Sequence, residues 1–107
     1  MSINRVTLLG HLGADPELRY TLAQHPVTTM RLATTERRKT PAGAWDEYPE
    51  WHNVVAWGTT AENCAKYRTK GPEVFVEGRS QPRTWKDTEG ATRVPTEIIV
   101  HAVNLLH

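Results

Sequence analysis

A chain of 107 residues has room for one small domain, spanning 1–107, with a modest core. Its 23% charged and 38% hydrophobic residues exclude a disordered chain, no stretch approaches a membrane span, and Met1 to Arg5 lacks the apolar run of a signal peptide. A net charge of +1 argues against coating nucleic acid by bulk charge and leaves only segregated patches, while the lone cysteine, Cys64, excludes an internal disulfide and fits a reducing, cytoplasmic compartment.

The residues from Ile3 to Leu12 are rich in branched side chains and predict a first strand. Gly10 and Gly13 predict a bend or bulge of the kind found at a barrel corner. Asp15-Pro16 marks a turn, after which Glu17 to Tyr20 continues the strand. Val27 to Glu36 predicts a second strand, with Met30, Leu32 and Thr34 alternating against Thr29, Arg31 and Ala33. Arg37 to Pro49 is polar, contains Pro41 and Gly43, and reads as a long hairpin loop. Trp51 to Trp57 returns from it as a third strand. Thr59 and Glu62 have capping-box spacing and open a helix whose inner side is Ala61, Cys64, Ala65 and Tyr67. Lys70-Gly71-Pro72 ends it. Val74 to Arg79 is a fourth strand. Gln81 to Asp87 leads into a turn at Thr88-Glu89-Gly90, and Arg93 to Val103 is a fifth strand with Pro95 near its start. An all-β chain of five strands, with one short helix between strands 3 and 4, has the order of the Greek-key barrel called the OB-fold.

The third strand carries the most informative pattern. Alternation places Trp51, Asn53, Val55 and Trp57 on one face and His52, Val54 and Ala56 on the other. The second set suits a core. The first holds two indoles roughly 20 Å apart on an extended strand, and flat rings along an open surface are what unpaired bases stack on. Trp85 repeats the theme in a polar hairpin, bracketed by Arg83 and Lys86. Arg31 projects from the face opposite Met30 and Leu32 and is a candidate phosphate contact. His11, His25, His101 and His107 show no zinc-type spacing with one another or with Cys64, so no metal or cofactor is expected. Phosphate-cradling loops, nucleophile elbows and metal-binding His-Glu helices are all lacking, so the chain does not read as an enzyme.

Several short segments then fall in one register. Asn4-Arg5-Val6, Leu9 to Glu17, Leu32-Ala33-Thr34, Glu50-Trp51-His52, Lys70-Gly71, Val76-Glu77-Gly78 and Trp85-Lys86-Asp87 together resemble the bacterial single-stranded DNA-binding proteins over nearly the whole chain. The resemblance implies an OB-fold subunit of a homotetramer that binds single-stranded DNA at the nucleoid with little sequence preference, in replication, recombination and repair. It carries the stacking aromatics to Trp51, Trp57 and Trp85, and the basic contacts to Arg5, Lys70 and Arg83. It places His52 at a subunit interface. An aromatic position of the family is occupied here by Arg38, whose planar guanidinium can also stack and pair with phosphate. A position often basic in the family is Asn53. Trp45 has no clear counterpart. The family continues into a flexible linker and an acidic tip that recruits replication and repair proteins. The residues here end at Asn104-Leu105-Leu106-His107, so such partners are expected only if an acidic tail exists in the full-length protein. A second reading, an adaptor that uses the same barrel to hold proteins, stays open beside the first.

Overall fold

A computed structural model describes residues 1–67, 73–82, 85–86, 92–93 and 96–105. The strands are β1 (Val6–Leu12), β2 (Glu17–Tyr20), β3 (Pro26–Lys39), β4 (Trp45–Trp57), β5 (Val74–Pro82), β6 (Trp85–Lys86), β7 (Thr92–Arg93) and β8 (Thr96–Leu105), with helix α1 (Gly58–Cys64). Five of them close a ring in the order β1-β5-β8-β4-β3, with β3 returning to β1 through His11 opposite Ala33 and Leu12 opposite Leu32. The all-β OB-type barrel expected from the strand order is therefore present. The pairing of β4 with β8 is parallel; the other ring pairings are antiparallel.

Alternation in the strands builds the interior. Met30 and Leu32 of β3, Val54 and Ala56 of β4, Val74 and Val76 of β5 and Ile98 of β8 all point inward and are buried. Val6, Leu8, Leu12, Val100 and Val103 pack around them. Helix α1 plugs one end with Ala61 and Cys64, both fully buried. The buried Thr28 hydroxyl donates to the Ala61 carbonyl at 2.6 Å and pins the helix to β3. Burial raises the Cys64 thiol pKa from 9.0 to about 11. Gly10 sits where β1 leaves β5 for β3, and a Cβ there would lie 2.1 Å from the Ala33 carbonyl oxygen. Only glycine lets the two backbones approach that closely at this corner.

Three local expectations need correction. First, counted in chain order, the helix lies between strands 4 and 5 rather than 3 and 4. The shift comes from β2, which continues the line of β1 along β3 but is broken from it by the turn at 13–16. Second, residues 37–49 are not a long loop. The ladder of β3 and β4 runs on to Lys39 opposite Trp45, leaving only 40–44 as the turn. Residues 35–39 and 45–50 are exposed on both faces, so the arm lacks the apolar alternation that marks a half-buried strand. Third, no side chain caps α1, which starts straight out of β4 at Gly58 with φ +64°. Thr59 thus lies inside the first turn and cannot form the capping box. The expected helix stop at 70–72, the turn at 88–90 and Pro95 lie outside the described residues.

Candidate nucleic-acid interface

The β3–β4 ladder fixes which side chains share the outward face. Val27, Thr29, Arg31 and Ala33 stand opposite Trp57, Val55, Asn53 and Trp51. Trp51 and Trp57 are 46% and 47% exposed. Such exposure is unusual for the residue type with most to gain from burial, and marks an interaction surface. Between them, Val55 is buried although it points the same way. It forms the floor of a groove whose walls stand higher.

Two adjoining hollows of about 430 and 410 Å³ make up this groove. Thr29, Val55 and Glu97 line both. Arg31, Asn53 and the 13–16 turn residues Ala14 and Asp15 border the first; Trp57, Val27 and Gln81 border the second. A cross-strand row runs through it: Arg31 stands opposite Asn53, Asn53 opposite Glu97, and Glu97 opposite Gln81. The four strands β3, β4, β8 and β5 thus present one polar line.

The Trp51 ring is positioned from two sides of the chain. A Cβ on Gly13 would lie 2.2 Å from its six-membered ring, so the indole rests directly on that glycine. The Gly13 amide donates to the Arg31 carbonyl at 2.9 Å. The Arg31 guanidinium lies 5.0 Å from the Trp51 centroid, a cation–π contact. This arrangement holds the ring and keeps a cation beside it, so a base stacked there would have its phosphate near a positive charge.

The other predicted residues fall in different places. Arg38 is not brought onto this face. Its register partner is Asp46, one residue out of step with Arg37 and Ala33, so it shares the reverse face of the arm with Glu36 and Tyr48. It pairs with Glu36 at 3.3 Å and lies 4.7 Å over the Tyr48 ring. Hydrogen bonding and charge from Glu36 raise its pKa. Arg5 pairs with Glu77 at 3.1 Å on the β1–β5 side of the barrel. His52 is half-buried at the mouth of the core and shares a 2.9 Å hydrogen bond with the Thr34 hydroxyl. Trp85 is placed by its backbone, opposite Arg93 in the β6–β7 pair. Lys70 and Arg83 lie outside the described residues.

Two features go beyond the sequence reading, which left the role of Trp45 open and did not single out Glu97. Trp45 is 58% exposed with the Arg37 guanidinium 5.4 Å over it, repeating along the arm the Arg31–Trp51 pairing. Its signal was present as the spacing of Trp45, Trp51 and Trp57, all an even number of residues apart, but the polar stretch was read as a loop. Glu97 entered the groove through the parallel pairing of β4 with β8. No local pattern in the sequence announces a contact between residues 53 and 97.

A closed five-stranded Greek-key barrel with an aromatic-walled groove on its outer face defines an OB-fold binding protein. The chain belongs to the Single-strand binding protein family, whose profile matches residues 3–106. It is 43% identical over 105 residues to "Single-stranded DNA-binding protein 1" of Chlorobaculum tepidum, covering 97% of this chain and 65% of that protein. It is 40% identical over 106 residues to "Single-stranded DNA-binding protein 1" of Xylella fastidiosa, covering 98% of this chain and 78% of that one. The chain therefore spans about two thirds of the length of the first relative.

Proposed function

We propose that this chain binds single-stranded DNA with little sequence preference and protects it during replication, recombination and repair. The observation that carries the reading is the pair of half-exposed indoles, Trp51 and Trp57, on one face of β4 with Arg31 against the first. Every base has a π-face, so stacking on these rings tolerates any sequence, and duplex DNA cannot present its faces. Trp85 supplies a further stack, and Arg5, Lys70 and Arg83 add phosphate contacts around the barrel. The action is binding, with no bond made or broken, as befits the family. The working form is a homotetramer with His52 in a subunit interface, located at the nucleoid in the cytoplasm. Replication and repair proteins join it where the full-length protein carries an acidic tail.

The test is a titration of tryptophan emission with oligo(dT). Stacking quenches indole emission, and a duplex of equal length leaves it unchanged at the same concentration. Equal affinity for duplex and single strand overturns the reading.

A further inference from the structure

The outward face of the β3–β4 ladder repeats itself with every third outward-facing pair. Lys39 stands opposite Trp45, Arg37 opposite Glu47 and Thr35 opposite Pro49. Ala33 then stands opposite Trp51, Arg31 opposite Asn53 and Thr29 opposite Val55, and Val27 opposite Trp57 begins the pattern again. Each full unit holds an indole, then an arginine facing a polar residue, then a threonine facing an apolar one. The geometry repeats with the residue types. Each arginine is the register partner of the residue two beyond a tryptophan and reaches diagonally back over that ring, Arg31 at 5.0 Å and Arg37 at 5.4 Å from the centroid. Among the described residues neither guanidinium is in an ion pair. All three indoles are exposed. The order along the ribbon is therefore ring, cation, ring, cation, ring, with successive rings roughly 20 Å apart at the usual rise per residue. Glu36, Asp46 and Glu50 lie on the reverse face of the arm, so the outward face sets Arg37 and Lys39 against Glu47.

We propose that the bound strand runs lengthwise along this ribbon, from the barrel out onto the arm, and that Trp45 with Arg37 is a second stacking unit that lengthens the site beyond the barrel. The inference rests on the single-strand-binding reading above and adds the direction of the path and its outer end. A single strand alternates flat bases with phosphates, and the ribbon alternates rings with cations in the same way. Both halves of the match are common to every nucleotide, so the longer site is as indifferent to sequence as the shorter one. A path across the sheet would instead cross the row of Asn53, Glu97 and Gln81, which offers no ring. The charges of the arm nearly cancel, so it engages second. A strand already seated on Trp51 and Trp57 is held beside Trp45 at a high effective concentration, and the added stack needs little electrostatic pull of its own.

The test is a set of quenching titrations with oligo(dT) of about 4 and about 16 nucleotides, the two ends of the range of site sizes for one OB-fold. They are made on the unsubstituted protein and on three variants whose fold is checked by circular dichroism. The shorter oligonucleotide fits one repeat, and the longer spans all three rings. Trp45→Ala is expected to weaken the longer by about tenfold or more, the worth of one stacked base, and the shorter by no more than about twofold, because Trp51 and Trp57 still hold it. Arg37→Ala should also weaken the longer and reduce its salt slope by about one phosphate, whereas Trp45→Ala leaves that slope unchanged. Trp45→Ala/Tyr48→Trp moves the indole to the reverse face at constant charge and should not restore binding. An undiminished affinity of Trp45→Ala for the longer oligonucleotide, or recovery in the double variant, overturns the lengthwise path while leaving single-strand binding intact. So does an equal loss at both lengths, or a salt slope that Arg37→Ala does not change. Failure of the longer oligonucleotide to bind the unsubstituted protein overturns the single-strand reading itself, and the path with it.

Discussion

The indole of Trp51 is held between a glycine in one turn and a guanidinium on the neighbouring strand, so its position depends on both. Trp51→Ala and Trp57→Ala are each expected to weaken oligo(dT) binding by roughly 1–3 kcal/mol, the worth of one stack. The thermal midpoint should move little, because both rings are half-exposed and outside the core cluster. Calorimetry of the variants beside a binding titration checks both halves of that expectation. The two barrel glycines should separate in the same way. At Gly10 an added methyl meets the backbone of Ala33, which cannot turn aside, so Gly10→Ala is expected to destabilise the fold by about 1–3 kcal/mol in urea denaturation. At Gly13 the methyl meets the Trp51 ring. Gly13→Ala should therefore displace the indole and weaken binding while the denaturation midpoint shifts less than for Gly10→Ala. Cys64 gives a pH dependence. Burial disfavours its thiolate, so its folded pKa of about 11 lies above the value of 9.0 it has when exposed. The stabilising contribution is thus complete below pH 9 and is lost as the pH rises toward 11. Tyr67, raised in the same direction by burial and by Cys64, adds to the loss. Thermal midpoints measured across that alkaline range should fall, and fall less in Cys64→Ala.

Among the elements, the outer part of the β3–β4 ribbon stands apart from the barrel. From Thr34 and Glu50 to the turn at 40–44 the two strands pair only with each other, over roughly 20 Å at the usual rise per residue. Nothing in this arm is buried, and its cations, Arg37, Arg38 and Lys39, are matched by Glu36, Asp46, Glu47 and Glu50. Its contribution to global stability is therefore small, and its electrostatic pull on phosphate is weak. What it offers is the Arg37–Trp45 pair, on the same face as Trp51. Replacing residues 36–48 by a short turn should leave the unfolding midpoint within a few degrees of the intact chain. It should also lower affinity for long oligonucleotides more than for short ones, as measured by quenching titrations at several lengths. A large loss of stability would mean that the arm is covered by other protein in the working form. Trp45→Ala should reproduce most of the affinity loss, whereas Arg38→Ala, on the reverse face and paired with Glu36, should cost less than Arg37→Ala.

For the whole molecule, the overall balance of +1 sets how binding responds to salt. Phosphate neutralisation releases counterions, so the logarithm of the affinity should fall linearly with the logarithm of salt concentration. A chain with so small a net charge should show a shallow slope, corresponding to only a few phosphates per barrel, with stacking supplying the rest. Affinities measured across a salt series give that slope directly. Assembly is the other property of this scale. A small barrel buries a limited fraction of its surface, and association adds to it. Light scattering at micromolar concentration is expected to give four times the monomer mass, and His52→Tyr, which places a larger ring at the half-buried mouth of the core, should lower it. A monomer in the unsubstituted protein would refute the assembly.

Much of this was determined by the sequence alone. Alternation assigned Val54 and Ala56 inward and Trp51 and Trp57 outward, because side chains on a strand have only two sides to choose from. Gly10 marked the barrel corner, and Ala61 and Cys64 the inner side of the helix, for equally local reasons. Local chemistry failed where both sides of a strand are wet. The ribbon from Arg37 to Pro49 is held by pairing to its partner rather than by burial, so it has no hydrophobic period to read. The helix cap failed because Gly58, in the left-handed region, let the helix begin one residue before the capping signal. Arg38 falls on the face opposite Trp51 because a one-residue offset in a ladder reverses the face, and only the register of β3 against β4 reveals it. The groove itself belongs wholly to the tertiary structure. Asn53 and Glu97 are brought together by a parallel pairing across a helix and three further strands, and the contacts of one strand with another so far along the chain are set by closure of the barrel.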